Sequence, residues 1–311
     1  MQYRPLGRTG LQTSVVSFGA APLGDMFGPV DDAAGIATVR RALDLGINFF
    51  DTSPYYGNGL SEQRLGKALA GRRGEVLIGT KSGRFGDQDF DYRPARIRES
   101  LETSLRLLRT DYVDIFQLHD IEFTKLDPVF EDTHAELVQL RAEGKCRFIG
   151  MTGYPMQTLR RAVAETELDT VLSYAHYTLL NTRLATELRP LCEQRGTAPI
   201  NAAAVAVGLL TPAGTRLPNH PAGPAVTAAA SRVARYCGER GLDVAFLANQ
   251  FAIQRSGCPT TVVGTTKTDH LESAVRAAST PLDEPLLAEV LALTADVRDR
   301  SWTSGLPENN G

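Results

Sequence analysis

The sequence predicts an α/β fold: a (β/α)8 TIM barrel with an N-terminal β-hairpin and a C-terminal extra helix plus tail, residues 1–311 forming a single domain. Three observations carry this expectation. Eight short apolar runs recur along the chain without strict polar alternation, as strands covered on both faces do. Helical patterns fill the gaps between them, and strict strand–helix alternation argues for a closed barrel. No G-x-G-x-x-G follows the first run, which counts against the runner-up, an open doubly wound sheet.

The runs are residues 14–20, 47–50, 76–80, 113–118, 147–151, 170–175, 199–205 and 260–263. Between them, 32–45 places Ile36, Val39, Ala42 and Leu43 on one helical face. Ser61 is expected to cap the next helix, with Leu65, Ala68 and Leu69 inward. Residues 94–108 start with proline and carry Ile97, Leu101, Leu105 and Leu108. Further helical patterns cover 128–142, 156–164, 182–194, a stretch near 225–240, and 270–278. Residues 3–13 read as a hairpin able to plug the barrel's bottom. Residues 214–223 form a Pro/Gly-rich loop, and 284–297 a last helix. In the tail that follows, Trp302 either folds over the barrel mouth or seals a helix end.

Composition excludes more than it identifies. A net charge of −3 and a pI near 6.0 suit neither a nucleic-acid partner nor an anionic membrane. No apolar run approaches the ~20 residues that span a bilayer, and no cationic, apolar leader opens the chain. Cys146, Cys192, Cys237 and Cys258 form no C-x-x-C pair and have no histidine at metal-ligand spacing, so buried thiols are expected. A reduced, cytoplasmic protein is the expectation. Its partner is a small molecule, and its state a monomer or small homo-oligomer.

Asp51, Tyr56, Lys81 and His119 each follow an apolar run, where a barrel presents its chemistry. A tyrosine is a poor base at neutral pH, with a reference pKa near ~10. A nearby lysine ammonium favours the phenolate, and a carboxylate beside the lysine keeps it charged. An imidazole can orient the reacting oxygen. Each residue also has a plain structural reading: a turn cap for Asp51, a turn aromatic for Tyr56, a solvated Lys81, a hydrogen-bonding His119. Their joint placement at three neighbouring strand ends favours the chemical one.

The segment Gly46-Ile47-Asn48-Phe49-Phe50-Asp51-Thr52-Ser53-Pro54-Tyr55-Tyr56-Gly57 resembles the aldo-keto reductase family. So do Ser61-Glu62, Leu65-Gly66-Lys67-Ala68-Leu69, Leu6-Gly7-Arg8-Thr9-Gly10-Leu11, and Asp111-Tyr112-Val113-Asp114 leading to His119. The resemblance implies a nicotinamide dinucleotide across the barrel's C-terminal face and a catalytic tetrad of Asp51, Tyr56, Lys81 and His119. Phe18-Gly19-Ala20-Ala21-Pro22-Leu23-Gly24, His119-Asp120-Ile121-Glu122-Phe123, Gly208-Leu209-Leu210-Thr211 and Trp302-Thr303-Ser304-Gly305 look like the sugar-oxidising branch. That branch implies oxidation at the anomeric carbon of a free aldose, giving a lactone. An NADPH-dependent aldehyde or ketone reductase, a pyridoxal dehydrogenase, a cofactor-sensing regulatory subunit and a Schiff-base enzyme built on Lys81 are the alternatives.

The same resemblance assigns cofactor contacts to Gly19, Ala20, Asp51, Thr152, Gly153, Ser173, Tyr174, Gly208, Leu209 and Leu210. After the eighth strand it adds Gly264, Thr265, Thr266, Lys267, His270 and Glu272. Thr152-Gly153 stands where many members carry Ser-Asn, and Gly264 and His270 stand where NADP-preferring members carry fixed cations. Asp269 or Glu272 would repel a 2′-phosphate, so NAD is the expected cofactor, with NADP the alternative through Lys267. Tyr55, Phe85, His119, Asp120 and Trp302 are the expected substrate contacts.

Overall fold

The computed structural model describes residues 1–214, 217 and 219–310, so the 214–223 loop lies partly outside the described residues. Eight parallel strands close into a barrel: β3 (Val16–Gly19), β4 (Phe49–Asp51), β5 (Leu77–Ser82), β6 (Val113–Leu118), β7 (Cys146–Gly153), β8 (Thr170–Tyr174), β9 (Ala198–Ala202) and β10 (Thr261–Gly264), with β10 pairing both β9 and β3. β1 (Tyr3–Pro5) and β2 (Gln12–Ser14) form the antiparallel hairpin. Its Leu6 and Leu11 join Phe49, Leu77, Ile115, Ile200 and Val262 in one buried cluster, so the hairpin seals the barrel's N-terminal end as expected.

Helices cover the outside. α1 (Asp32–Asp44) is capped by Asp31, whose carboxylate accepts the Ala34 N–H. α2 (Leu60–Ala68) follows β4, and α3 (Pro94–Leu108) follows β5 with its four predicted apolar positions buried. The predicted 128–142 helix divides into α4 (Leu126–Pro128), a π-helical segment (Val129–Thr133) and α5 (His134–Ala142). α6 (Met156–Glu165) and α7 (Arg189–Arg195) follow β7 and β8. α8 (Gly223–Gly238), α9 (Val244–Arg255), α10 (Thr268–Ser279) and α11 (Glu284–Ala292) complete the layer. All four cysteines are buried and free. No helix among the described residues is long and apolar enough to cross a membrane.

Two expectations need correction. Ser61 does not cap α2; Gly59 stands at the N-cap. The Ser61 hydroxyl is fully buried, donates to the Ala20 carbonyl at 2.7 Å and meets Thr52 Oγ1 at 2.8 Å, tying the ends of β3 and β4 together. The sequence reading also passed over α9. Leu247, Ala248, Asn249, Gln250, Phe251, Ala252 and Ile253 are all buried, so the helix lacks the apolar stripe by which a surface helix is recognised.

Candidate active site

Strand register assembles the site at the C-terminal mouth. Asp51 ends β4 opposite Gly79 of β5, and Lys81 lies opposite Gln117 of β6, two residues before His119. Lys81 is almost wholly buried, with its ammonium 2.6 Å from Asp51 Oδ2, 2.8 Å from the Thr52 carbonyl and 3.4 Å from the Tyr56 hydroxyl. A buried ammonium is tolerable only when paired and hydrogen-bonded, and these partners meet that demand. Burial works against the Lys81 charge, but Asp51 and Tyr56 outweigh it and its pKa ends raised. Gln117 Nε2 reaches the other Asp51 oxygen at 3.4 Å.

Tyr56 is positioned by its own backbone. A Cβ at Gly24 would lie 2.3 Å from the Tyr56 carbonyl oxygen, and one at Gly57, where φ is +68°, would lie 2.4 Å from the Gly24 carbonyl. The loops after β3 and β4 therefore interlock through two side-chain-free positions. Burial pushes the Tyr56 phenol up; Lys81 pulls the other way without cancelling it. The net direction is the reverse of the sequence expectation, because removing the ring from water costs the phenolate more than one ammonium restores.

His119 stands edge-on to the Tyr56 ring, 5.7 Å between centroids. Its Nδ1 meets Ser53 Oγ at 3.0 Å, while Ser53 Oγ accepts the Tyr55 N–H at 3.2 Å. The Ser53 hydrogen is then available to Nδ1, an arrangement compatible with the tautomer that carries the imidazole hydrogen on Nε2. Burial lowers the His119 pKa to about 3, so the ring is neutral and acts as a donor.

The substrate-side residues divide. Tyr55 packs edge-on to His119. Asp120 is buried and its carboxylate pairs with Arg84 Nη1 at 2.6 Å. Phe85 lies under the Arg96 guanidinium of α3, 4.4 Å from its ring centroid. Trp302 stacks on Tyr154, with centroids 3.9 Å apart, and Tyr154 stacks in turn on His176. The tail thus closes over the ends of β7 and β8, the first of the two placements considered for Trp302. Glu122 anchors it: one carboxylate oxygen accepts from Ser304 Oγ at 2.9 Å and the Tyr154 N–H at 3.1 Å, and its carbonyl accepts the Leu306 N–H at 2.9 Å.

The expected cofactor positions fare unevenly. Thr152 is buried, and its hydroxyl accepts the Asp120 N–H at 3.1 Å. Space beyond Gly153 is filled by Glu122 Oε2 and Leu159, so this residue faces the helical layer. Ser173 is engaged with His176 Nδ1 at 3.0 Å, and Tyr174 is half-buried beside Tyr154. Leu209 and Leu210 are buried in the apolar cluster under α8 and α9. Their loop carries positive φ at Ala203, Ala206, Val207 and Gly208, and three of these are non-glycine residues holding a strained conformation typical of ligand clamps. Gly19 and Gly264 face each other across the β3–β10 pair, and a Cβ at Gly19 would lie 2.9 Å from Val262. Beyond them, Lys267 occupies the N-cap of α10 with no side-chain cap bond, leaving a helix N-terminus able to receive a phosphate. Thr265 Oγ1 accepts the Lys267 N–H, Thr266 offers its carbonyl to Thr38, and His270 is exposed. Glu272 is paired with Arg41 of α1 at 2.8 Å, a cation the sequence reading did not bring to this loop.

Arg84, Ser53, Glu122, Tyr154 and His176 are the residues that sequence reasoning missed. Arg84, three residues beyond Lys81, was the most legible of them. The contacts that draw the others into the site come from residues distant in sequence: Ser53 meets His119, Glu122 meets Ser304, and Tyr154 stacks on Trp302 and His176.

A closed barrel with a buried Lys–Asp pair under a tyrosine and a histidine defines a class. The family model "Aldo/keto reductase family" matches residues 15–294, and the chain belongs to that family. It is an oxidoreductase of the NAD(P)-dependent kind. Over 320 aligned residues the chain is 40% identical to L-galactose dehydrogenase of Arabidopsis thaliana, covering 99% of both. It is 34% identical to D-threo-aldose 1-dehydrogenase of a Pseudomonas species, over 65% of this chain and 68% of that protein. Among solved structures, the holo form of an aldo-keto reductase from Bacillus halodurans superposes with a TM-score of 0.80 at 26% identity, covering all of both chains.

Proposed function

We propose that the chain oxidises the anomeric carbon of a free aldose, of the L-galactose or L-fucose type, to a lactone. The reaction removes a hydride from the anomeric carbon and a proton from its hydroxyl. When bound, the nicotinamide dinucleotide supplies the hydride acceptor. The proton passes to the Tyr56 oxygen, and Lys81 beside it stabilises the phenolate that must exist beforehand. Asp51 keeps Lys81 charged and in place. His119 donates from Nε2 to the reacting oxygen and fixes its orientation. The observation that carries this reading is the buried Lys81 ammonium, held between Asp51 at 2.6 Å and the Tyr56 hydroxyl at 3.4 Å.

The residues beyond β10 support a dinucleotide, with NAD preferred. The open N-terminus of α10 suits a phosphate, whereas Arg41 is already paired with Glu272, which leaves Lys267 and the exposed Arg40 as the nearby cations for a 2′-phosphate. A panel of aldoses and pyridoxal, run with NAD⁺ and with NADP⁺ and scored by formation of the reduced nicotinamide, tests both halves. Turnover of an aldose with NAD⁺ is expected. Activity confined to NADPH-dependent aldehyde reduction overturns the sugar reading, and a tenfold NADP⁺ advantage in kcat/KM overturns the cofactor preference.

A further inference from the structure

We propose that Asp120 and Arg84 read a hydroxyl on the carbon adjacent to the one oxidised, restricting the enzyme to substrates with vicinal oxygens. The inference rests on the proposed oxidation and concerns what that site selects. Asp120 follows His119 directly and is locked in place. Its φ is +52°, the Tyr92 hydroxyl shares its one hydrogen between the His119 carbonyl at 2.6 Å and the Asp120 carbonyl at 2.7 Å, and its own N–H is held by Thr152. A non-glycine residue in this conformation is maintained by its surroundings and is a recurrent feature of functional sites. The result is a carboxylate whose Oδ2 lies 3.8 Å from His119 Nε2, the donor assigned to the reacting oxygen.

Arg84 completes the device. Its guanidinium stacks over the Tyr55 ring at 4.1 Å, with Phe90 and Phe123 at 5.5 Å and 5.3 Å. Nη1 holds Asp120 Oδ2 at 2.6 Å, and Nη2 holds the Tyr55 hydroxyl at 3.0 Å. The Tyr55 hydroxyl donates in turn to Asp87 at 2.6 Å. Nη2 also faces Asp87 Oδ1 at 3.7 Å, so of the five guanidinium donors the second N–H of Nη1 is the one without a partner among the described residues. A carboxylate acceptor and a guanidinium donor therefore sit beside the imidazole donor. An oxygen at Nε2 and a second oxygen one carbon away can face Nε2 and the Arg84–Asp120 pair together. A plain aldehyde would forgo the bonds to Arg84 and Asp120, and a site built to hydrogen-bond a substrate hydroxyl disfavours the analogue lacking it.

The test compares kcat/KM for L-galactose and 2-deoxy-L-galactose with NAD⁺, in the wild type and in the Asp120→Ala and Arg84→Gln variants, with a thermal melt for each. The wild type is expected to favour the parent sugar by roughly 10²-fold or more, and Asp120→Ala to reduce that ratio to about threefold or less. Arg84→Gln should lower the ratio and raise KM more than it lowers kcat. Equal wild-type use of both sugars overturns the proposal, as does an unchanged ratio in a folded Asp120→Ala variant. Turnover of neither L-galactose nor any other aldose is a separate result: it removes the proposed oxidation itself, and this selection with it.

Discussion

Lys81→Met isolates the electrostatic half of the site. The ammonium lies 3.4 Å from the Tyr56 oxygen, and Coulomb's law with an effective dielectric of ~20 gives about 5 kcal/mol between it and a phenolate. Asp51, also buried, opposes this, and roughly 3 kcal/mol is a fair net value, on the order of 10²-fold in rate at neutral pH. The rate should recover partly as pH rises, because the phenol is then ionised by solvent rather than by a neighbour. A second effect is structural. Removing one partner of a buried ion pair costs about 3–5 kcal/mol, since Asp51 is left charged or must take up a proton. The double variant Asp51→Asn with Lys81→Met removes that cost and should recover much of the lost Tm while remaining inactive. The assay is aldose oxidation against pH, with melts of the single and double variants. A folded Lys81→Met enzyme that keeps kcat within a few-fold of the wild type, with its pH profile unmoved, refutes the reasoning.

Tyr56→Phe should lower kcat by on the order of 10²–10⁴-fold, with dinucleotide binding, read by fluorescence titration, little changed. Because burial raises the Tyr56 pKa, oxidation in the wild type should accelerate with rising pH through the neutral range and beyond; a rate that falls instead counts against Tyr56 as base. Ser53→Ala removes the bond that fixes the His119 tautomer and should lower kcat by about tenfold, with KM for the dinucleotide unmoved. Gly24→Ala drives a methyl into the Tyr56 carbonyl and should depress kcat more than its Tm loss explains. Burial raises the Glu122 carboxyl to about 8 from an unfolded value of 4.5, so the folded state holds a proton that the unfolded chain releases first. That contribution is complete below about pH 4.5 and is lost as pH rises to about 8, so Tm should decline across this window and Glu122→Gln should flatten the decline.

The fold and the cluster of candidate site residues were legible in the sequence for the same physical reason: both are written in short windows. Short apolar-rich runs such as 76–80 read as covered strands; Asp51, Lys81 and His119 stand immediately beyond such runs and Tyr56 in the loop that follows Asp51, where barrel topology brings them together. The hairpin plug was legible through Leu6 and Leu11. What the tertiary structure decided depends on partners far apart in sequence. Helix α9 was hidden because it is buried on all sides, and Ser61 proved to be a tie between strand ends rather than a cap. Glu122 holds a tail 182 residues away, and Glu272 is claimed by Arg41 across 231 residues. Even the direction of the Tyr56 shift follows from how deeply the packed barrel buries the ring, a property of the assembled fold that no local pattern of residues contains.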